Sequence, residues 1–214
     1  MSSTSNQHTS TRPAVLAALG GSAAVLGGLL GAAAAYMESL APGGCVGNYC
    51  SGGYRETTPQ VAALALSSIL LAAIGILGLA VLARARGRRY WMALTAAGLV
   101  AAGLLSLTAY SVFMAGTTNE SWGWWAFGYT GFLAMWAGLV FGSIHTLVAR
   151  VVPRWVGIAA IVASAVLPFF NTETAAVLVA VPAALAWALV GGFVVREALG
   201  DLDIGHRHAP ALGA

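Results

Sequence analysis

The sequence predicts an all-α integral membrane protein in which six transmembrane helices form one bundle. The first observation is composition: of 214 residues, 59% are hydrophobic and only 8% are charged, whereas a soluble domain carries about 25% charged residues. A water-soluble fold could not cover its surface with so few charges. The second observation is that the apolar residues are grouped into segments near the roughly 20 residues that cross a bilayer core.

Six segments contain no Asp, Glu, Lys or Arg and are dominated by Ala, Leu, Val, Ile and Gly. They are residues 14–36, 61–83, 90–114, 126–149, 155–170 and 174–195. We interpret residues 13–196 as one six-helix transmembrane domain. It is preceded by a flexible cytoplasmic tail at residues 1–12 and followed by a cytoplasmic C-terminal tail at residues 197–214.

The first segment also has features of a signal peptide, because Arg12 precedes it and residues 32–35 are all alanine. Its apolar stretch is longer than the roughly 7 to 15 residues of a signal-peptide core. We therefore expect an uncleaved first helix. The later helices keep the same orientation under either interpretation.

The fifth segment is short, and Pro168 lies near its end. One interpretation is a hairpin, made from the fifth and sixth segments, that enters the bilayer without fully crossing it. The intervening Thr172 and Thr174 favour a separate sixth helix, because either threonine can cap a new helix. Pro182, within the sixth segment, frees one carbonyl and predicts a kink.

Arginine placement predicts the orientation. All ten basic residues are arginines, and with six crossings only Arg55 falls on the outer side. The inner side receives Arg12, Arg84, Arg86, Arg88, Arg89, Arg150, Arg154, Arg196 and Arg207. The positive-inside rule then places both termini in the cytoplasm. Insertion and anionic lipid explain this charge, so nucleic acid is not an expected partner.

The use of arginine without lysine has two further consequences. A chain without lysine cannot form a retinal Schiff base or use a lysine nucleophile, which excludes rhodopsin-like proteins. Arginine in place of lysine, together with abundant Ala and Gly, indicates GC-rich coding. We therefore expect a bacterial plasma membrane as the location.

Cys45 and Cys50 lie in the longest predicted loop, on the outer and oxidising side. A disulfide is the expected state there, and closing so small a loop contributes only about 2 kcal/mol. A redox site is the alternative, but the spacing is C-x4-C, and a reactive thiolate needs a nearby cation or helix N-terminus. A zinc site lacks further ligands, because the four histidines fall on or near the other side.

Small residues at helical spacing predict which helices pack at the bundle centre. Three stripes stand out: Gly20, Ala24, Gly28 and Gly31 on the first helix, Thr95, Gly98, Ala102 and Ser106 on the third, and Ala134, Gly138 and Gly142 on the fourth. Such stripes are typical of ordinary helix contacts, and they also line pores. Glycine alone does not distinguish a contact from a cavity.

His145 is the only His, Asp, Glu or Arg inside a predicted span, and it continues the stripe of the fourth helix. Ionisable groups in a membrane are candidates for function. The alternative is a neutral histidine that bonds to a backbone carbonyl or reaches the inner interface. Ser143 lies beside His145 on the same helix, but the pair lacks an acid, so a Ser-His hydrolase is poorly supported.

Trp136 and Trp187 are expected near the middle of the bilayer, where an indole N–H needs a partner. They are expected to pack against each other or against Ser106 and Thr108, or to line a site. At the outer face a second candidate ligand site comprises Glu38, Glu120, Trp124 and Glu173. The alternative for the outer tryptophans is the aromatic belt that anchors membrane helices.

The leading functional hypothesis is a non-enzymatic structural, regulatory or accessory subunit, because the spans are almost free of charge and the loops are short. The first alternative is a small-solute or lipid transporter or channel that uses the small-residue helix faces and His145. The second is a membrane enzyme with an outer-face site. No cofactor or metal motif occurs in the sequence. The expected partners are the lipid bilayer and another membrane protein.

Overall fold

The computed structural model describes residues 7–44, 55–116 and 123–207. Within these ranges the chain is predominantly helical and contains no strand, which confirms the all-α class. Six α-helices follow in order: α1 (Gln7–Leu40), α2 (Pro59–Ala85), α3 (Trp91–Gly116), α4 (Thr130–Val148), α5 (Arg154–Ala165) and α6 (Ala180–Arg207).

Three of the helices carry short extensions. A π-helical segment, Trp124–Tyr129, leads into α4, the 3-10 turn Leu167–Phe169 follows α5, and the 3-10 segment Ala175–Val179 leads into α6. Pro182 lies in the first turn of α6 and cannot donate to the carbonyl of Leu178, four residues earlier. Pro182 therefore lies just after the junction between the 3-10 segment and α6, and the kink stays a prediction.

Among the residues that the structure describes, five helices are long and apolar enough to cross a membrane: Arg12–Leu40, Pro59–Ala85, Trp91–Phe113, Trp125–Val148 and Ala175–Leu202. The remaining apolar helix, Arg154–Phe169, is shorter. The helices therefore indicate a multi-pass membrane protein with five to six spans. Helix α1 begins inside the predicted flexible tail, and α6 continues into the predicted C-terminal tail as far as Arg207.

The two ends of α5 lie at opposite ends of the bundle. Before α5, the guanidinium of Arg88 donates to the carbonyl oxygens of Ala149 and Arg150, which joins the α2–α3 and α4–α5 connections. After α5, the main-chain N–H of Gly44 donates to the carbonyl oxygen of Glu173 at 3.0 Å, which joins the α1–α2 and α5–α6 connections. The alternative hairpin of the fifth and sixth segments, which would turn back before the opposite end of the bundle, does not fit these contacts.

Helix α1 packs into the groove between α2 and α6, where glycines bring the main chains together. A Cβ added to Gly78 of α2 would lie 2.6 Å from the Cα of Gly20. A Cβ added to Gly191 of α6 would lie 2.5 Å from the carbonyl oxygen of Gly21. Both distances are shorter than any normal carbon contact. Close approach of these helices therefore requires glycine, as the stripe on the first helix predicted.

The bundle centre lies where α2, α4 and α6 meet. A Cβ added to Gly142 of α4 would lie 2.8 Å from the Trp187 indole of α6 and 3.6 Å from Cδ1 of Ile76 of α2. Helices α3 and α4 approach each other in the same way, since a Cβ on Gly103 would lie 2.6 Å from the carbonyl oxygen of Gly131. The glycines of α4 therefore contact three other helices.

The stripe predicted on the third helix is wrong at three of its four positions, and only Ser106 contacts α4. Thr95, Gly98 and Ala102 face outward, and a Cβ on Gly98 would meet nothing within 4 Å. The buried face consists of Ala93, Ala96, Ala97, Val100 and Gly103. Because α3 has small residues on more than one face, its spacing alone does not select the face that contacts α2 and α4.

Helices α2 and α4 both end at a residue in the left-handed region. On α2 that residue is Gly87, with φ of 65°, and on α4 it is Arg150, with φ of 49°. After α4, the N–H of Arg150 donates to Leu147 at 3.2 Å and the N–H of Val151 donates to Thr146 at 3.4 Å. Glycine adopts this conformation freely, whereas another L-residue loses roughly 1 to 2 kcal/mol there.

Candidate functional site

Four polar side chains are completely buried between α4 and its neighbours. They are Ser143, His145 and Thr146 of α4 and Ser164 of α5, each with 0% of its surface exposed. We call these four residues, with Trp136 and Trp187, the buried polar cluster. Three of the four candidate intramembrane residues predicted from the sequence, Ser143, His145 and Trp187, are fully or almost fully enclosed.

The hydroxyl groups of the buried polar cluster mostly bond to their own helix. Ser143 Oγ donates to the carbonyl oxygen of Leu139 at 2.8 Å and lies 3.4 Å from Ser164 Oγ. Thr146 Oγ1 donates to the carbonyl oxygen of Ser143 at 2.7 Å. Such bonds satisfy a hydroxyl inside an apolar bundle. They leave no hydroxyl beside a base, so the cluster lacks an activated nucleophile.

Trp136 joins α4 to α5 through its indole. Its Nε1–H donates to the carbonyl oxygen of Ser164 at 3.0 Å, near the C-terminal end of α5. The predicted alternatives, Ser106 and Thr108, bond elsewhere: Ser106 Oγ donates to Phe127 at 2.8 Å and Thr108 Oγ1 donates to its own helix. The indole of Trp136 is therefore part of the packing between α4 and α5.

Trp187 lies at the bundle centre, and its Nε1–H has no hydrogen-bond partner in the part of the chain that the structure describes. Only 4% of the residue is exposed, and its six-membered ring packs against Gly142. The ring fits there because position 142 has no side chain. A buried donor that makes no bond costs about 1 to 3 kcal/mol. This indole therefore differs from that of Trp136, which makes its bond.

Neither ring nitrogen of His145 has a hydrogen-bond partner among the described residues, although the side chain is fully buried. Neither predicted structural role, a bond to a backbone carbonyl or access to the inner interface, is present. Gly142 lies three residues earlier on α4, and positions at this spacing share one helix face. The unpartnered nitrogens of His145 therefore lie on the same face of α4 as Gly142, against which the indole of Trp187 packs.

A second polar site lies at the opposite end of the bundle. It joins the loop between α1 and α2 to the loop between α5 and α6. The main-chain N–H of Arg55 donates to Glu173 Oε2 at 2.7 Å, and the Arg55 guanidinium donates to the carbonyl oxygens of Pro42 at 3.0 Å and Thr172 at 2.7 Å. Gly44 packs so closely on the Glu173 carboxylate that a side chain there would collide with it. We call these five residues the loop clasp.

Glu38 contacts the same segment as the loop clasp. It is 4% exposed, and its Oε1 accepts a hydrogen bond from Thr57 Oγ1 at 2.9 Å. Two of the four predicted outer-face residues, Glu38 and Glu173, therefore bond within residues 55–57. Glu120, Cys45 and Cys50 lie outside the described residues, and of Trp124 only the main chain is described.

Glu38 and Glu173 do not form a free carboxylate pair. Both Glu38 and Glu173 accept hydrogen bonds from the chain itself, which is what a structural carboxylate does. Among the residues that the structure describes, no group of three or more His, Cys, Asp or Glu is placed to hold a metal ion. The hydrogen bonds of these residues can order the two loops. Among the described residues of this site, no acid and base face a shared position where a substrate could react.

Sequence reasoning missed several residues of these two sites. Arg55 was noted only for its charge, although its position as the single arginine on the outer side is the signal that could have identified it. Thr57, Thr146 and Ser164 gave no signal, because single hydroxyl residues are common in membrane helices and loops. The chain matches no known protein family, no curated protein and no solved structure.

Proposed function

We propose that the protein is a multi-pass plasma-membrane protein that acts as a non-enzymatic structural or accessory subunit for another membrane protein. The observation that carries this proposal is the contact of main chains between α1, α2 and α6. Glycines at Gly20, Gly78 and Gly191 allow the contact, and no solute fits between helices at this distance. The small-residue faces of α1 therefore support packing.

The placement of polar groups supports the same proposal. The hydroxyls of Ser143 and Thr146 bond to their own helix, and the Glu173 carboxylate bonds to the loop clasp. An enzyme needs an acid, a base or a nucleophile held around a reacting atom. These three polar side chains instead lie at separate positions, where each makes a hydrogen bond to the main chain.

Native mass spectrometry on the chain, extracted gently from its own membrane, tests this proposal. A stoichiometric protein partner whose removal lowers the amount of this chain in the membrane supports an accessory subunit. A chain that carries no protein partner, and whose abundance is independent of other membrane proteins, contradicts it.

The second candidate function is binding or transport of a small solute or lipid, and His145 and Trp187 favour it. Three buried nitrogen atoms on these two residues make no hydrogen bond within the described chain. A polar guest with both donor and acceptor groups would satisfy them. A small molecule retained in the native mass spectrum, and lost from a His145→Leu variant, would place this function first.

A further inference from the structure

We propose that Arg89, Arg150 and Arg154, flanked by Trp91 and Trp155, bind the headgroup of an anionic phospholipid. Arg89 and Arg150 lie on two connections, α2–α3 and α4–α5, at one end of the bundle. Trp91, Arg154 and Trp155 lie in the first turns of the helices that follow, α3 and α5. We call these five residues the headgroup site. The proposal goes beyond a structural role for the bundle, because it assigns a lipid class to one surface of the protein.

The two connections form one surface because Arg88 joins them. Its guanidinium donates to the carbonyl oxygens of Ala149 and Arg150, the latter at 3.1 Å. Arg89 follows directly on the first connection, while Arg150 lies on the second and Arg154 begins α5. A cation on the last carbonyls of α4 also suits the negative end of the helix dipole. Arg88 is therefore structural, and its neighbours carry the free charge.

Two other arginines at this end, Arg84 and Arg86, already have partners. Arg86 forms ion pairs with Glu197 at 3.0 Å and Asp201 at 3.1 Å. The guanidinium of Arg84 lies 5.4 Å from the centre of the Tyr90 ring. Arg89, Arg150 and Arg154, by contrast, are exposed, and no carboxylate in the described part of the chain lies within ion-pair distance of them. These three exposed guanidinium groups are therefore available to an external anion, and a guanidinium group matches the geometry of phosphate.

Arg150 occupies a backbone position that favours glycine. Its φ is 49°, and the equivalent position after α2 is Gly87, with φ of 65°. Strained positions persist where the side chain has a use. The use that fits this surface is the positive charge, because the Arg150 side chain makes no described bond to the protein.

Two exposed indoles identify the anion as part of a lipid. Trp91 is 56% exposed and Trp155 is 59% exposed, and they lie at the beginning of α3 and α5, next to Arg89 and Arg154. Tryptophan at such a position lies at headgroup level in a membrane. The first turns of α3 and α5 also direct main-chain N–H groups toward this level, which favours phosphate. A soluble anion would use the arginines without the indoles.

The experiment compares the thermal unfolding of the full chain in nanodiscs of phosphatidylcholine alone and of phosphatidylcholine mixed with phosphatidylglycerol. We expect phosphatidylglycerol to raise the unfolding temperature of the natural sequence. Arg89→Gln with Arg154→Gln should remove most of this increase. Arg12→Gln with Arg196→Gln, on α1 and α6, removes the same number of charges as a control and should retain it. An increase unchanged in the first double variant, or equally reduced in the control, overturns the proposal.

Arg150→Gly provides an independent test that does not depend on correct folding of a weakened variant. Glycine relieves the left-handed backbone, so the variant should unfold at a higher temperature in phosphatidylcholine alone. It should nevertheless show a smaller increase with phosphatidylglycerol. An increase equal to that of the natural sequence overturns the role of Arg150. Inorganic phosphate, added to the phosphatidylcholine nanodiscs, should leave the unfolding temperature unchanged, and an increase with phosphate would contradict a lipid ligand.

Discussion

The buried imidazole of His145, whose nitrogens make no hydrogen bond within the described residues, should lower the stability of the fold. Replacing both members of a buried hydrogen bond by apolar groups is nearly neutral, and removing a donor that makes no bond is favourable. We therefore expect His145→Leu to raise the free energy of unfolding by about 1 kcal/mol or more. Chemical unfolding in mild detergent, followed by tryptophan fluorescence, measures the change.

Thr146→Val is the matched control for this prediction, because it lies on the next residue and removes a bond that is made. The hydroxyl of Thr146 donates to Ser143 at 2.7 Å, so its loss should lower the free energy of unfolding by about 1 kcal/mol. If His145→Leu also lowers stability in the native lipid extract, a bound guest satisfies the imidazole. That result would favour the second candidate function.

The cysteine prediction stays open at the residue scale, since Cys45 and Cys50 lie outside the described residues. We expect a disulfide because the predicted loop faces an oxidising compartment. Maleimide-polyethylene glycol should then label neither cysteine until a reductant is added. Labelling of the untreated protein in its membrane would show that the thiols are free.

At the scale of helices, adjacent glycines on α6 have opposite roles. A Cβ on Gly191 would lie 2.5 Å from the Gly21 carbonyl oxygen, whereas a Cβ on Gly192 would meet nothing within 4 Å. Gly191→Ala should therefore destabilise the bundle by about 1 to 3 kcal/mol. Gly192→Ala should be neutral or stabilise it by up to about 1 kcal/mol, since alanine favours the helix.

Unfolding of these two variants in the same detergent measures the difference. Equal stabilities would mean that α1 and α6 do not approach each other through Gly191. The pair is a sharp comparison, because the substitutions have the same chemistry and differ by one position on the same helix.

The loop clasp determines how the ends of four helices are held. Glu173→Ala removes the acceptor for the Arg55 main-chain N–H, which is bonded at 2.7 Å. We expect faster hydrogen exchange at residues 55–57 and little change within α2. Glu56→Ala is the control, because Glu56 is exposed and carries the same charge. Equal exchange in the two variants would show that Glu173 does not order the connection.

Helix positions were predicted well where the sequence contains a helix-capping residue. Thr174 caps the segment before α6, with its Oγ1 accepting from the N–H of Ala176 at 3.1 Å, as expected. The face of α3 was not predictable, because alanine and glycine occur around most of its circumference. Helix α6 extends to Arg207, and within this extension Glu197 and Asp201 pair with Arg86 of the α2–α3 connection. Spacing along the sequence does not contain that information.

For the whole molecule, the arginines support the orientation that we propose, with both termini in the cytoplasm. Contacts of Arg86 and Arg88 bring the α2–α3 connection, the α4–α5 connection and the end of α6 to one end of the bundle. A reporter inserted at Gly87 should therefore be cytoplasmic, and one inserted after Gly44 should be exterior. An exterior reporter at Gly87 would reverse the orientation of the entire chain.

Across the whole molecule, the sequence predicted some residues of the candidate sites but not their contacts. The sequence identified His145 and Trp187 by their rarity within apolar segments, and Glu38 and Glu173 by their place on the predicted outer side. It could not show that the carboxylates bond to residues 55–57 or that three buried nitrogens lack partners. Those properties depend on how helices distant in sequence approach one another.

The shortness of α5 has a consequence for the surrounding bilayer. Helix α5 has 12 residues and its 3-10 extension has 3, so together they reach about 24 Å. The hydrocarbon core is about 30 Å thick. If α5 spans the bilayer, as we propose, we expect lipids beside it to adopt a thinner arrangement than lipids beside α1 or α2. The protein would then have a thin sector in its lipid annulus, where short-chain lipids are favoured and local hydrophobic mismatch is concentrated.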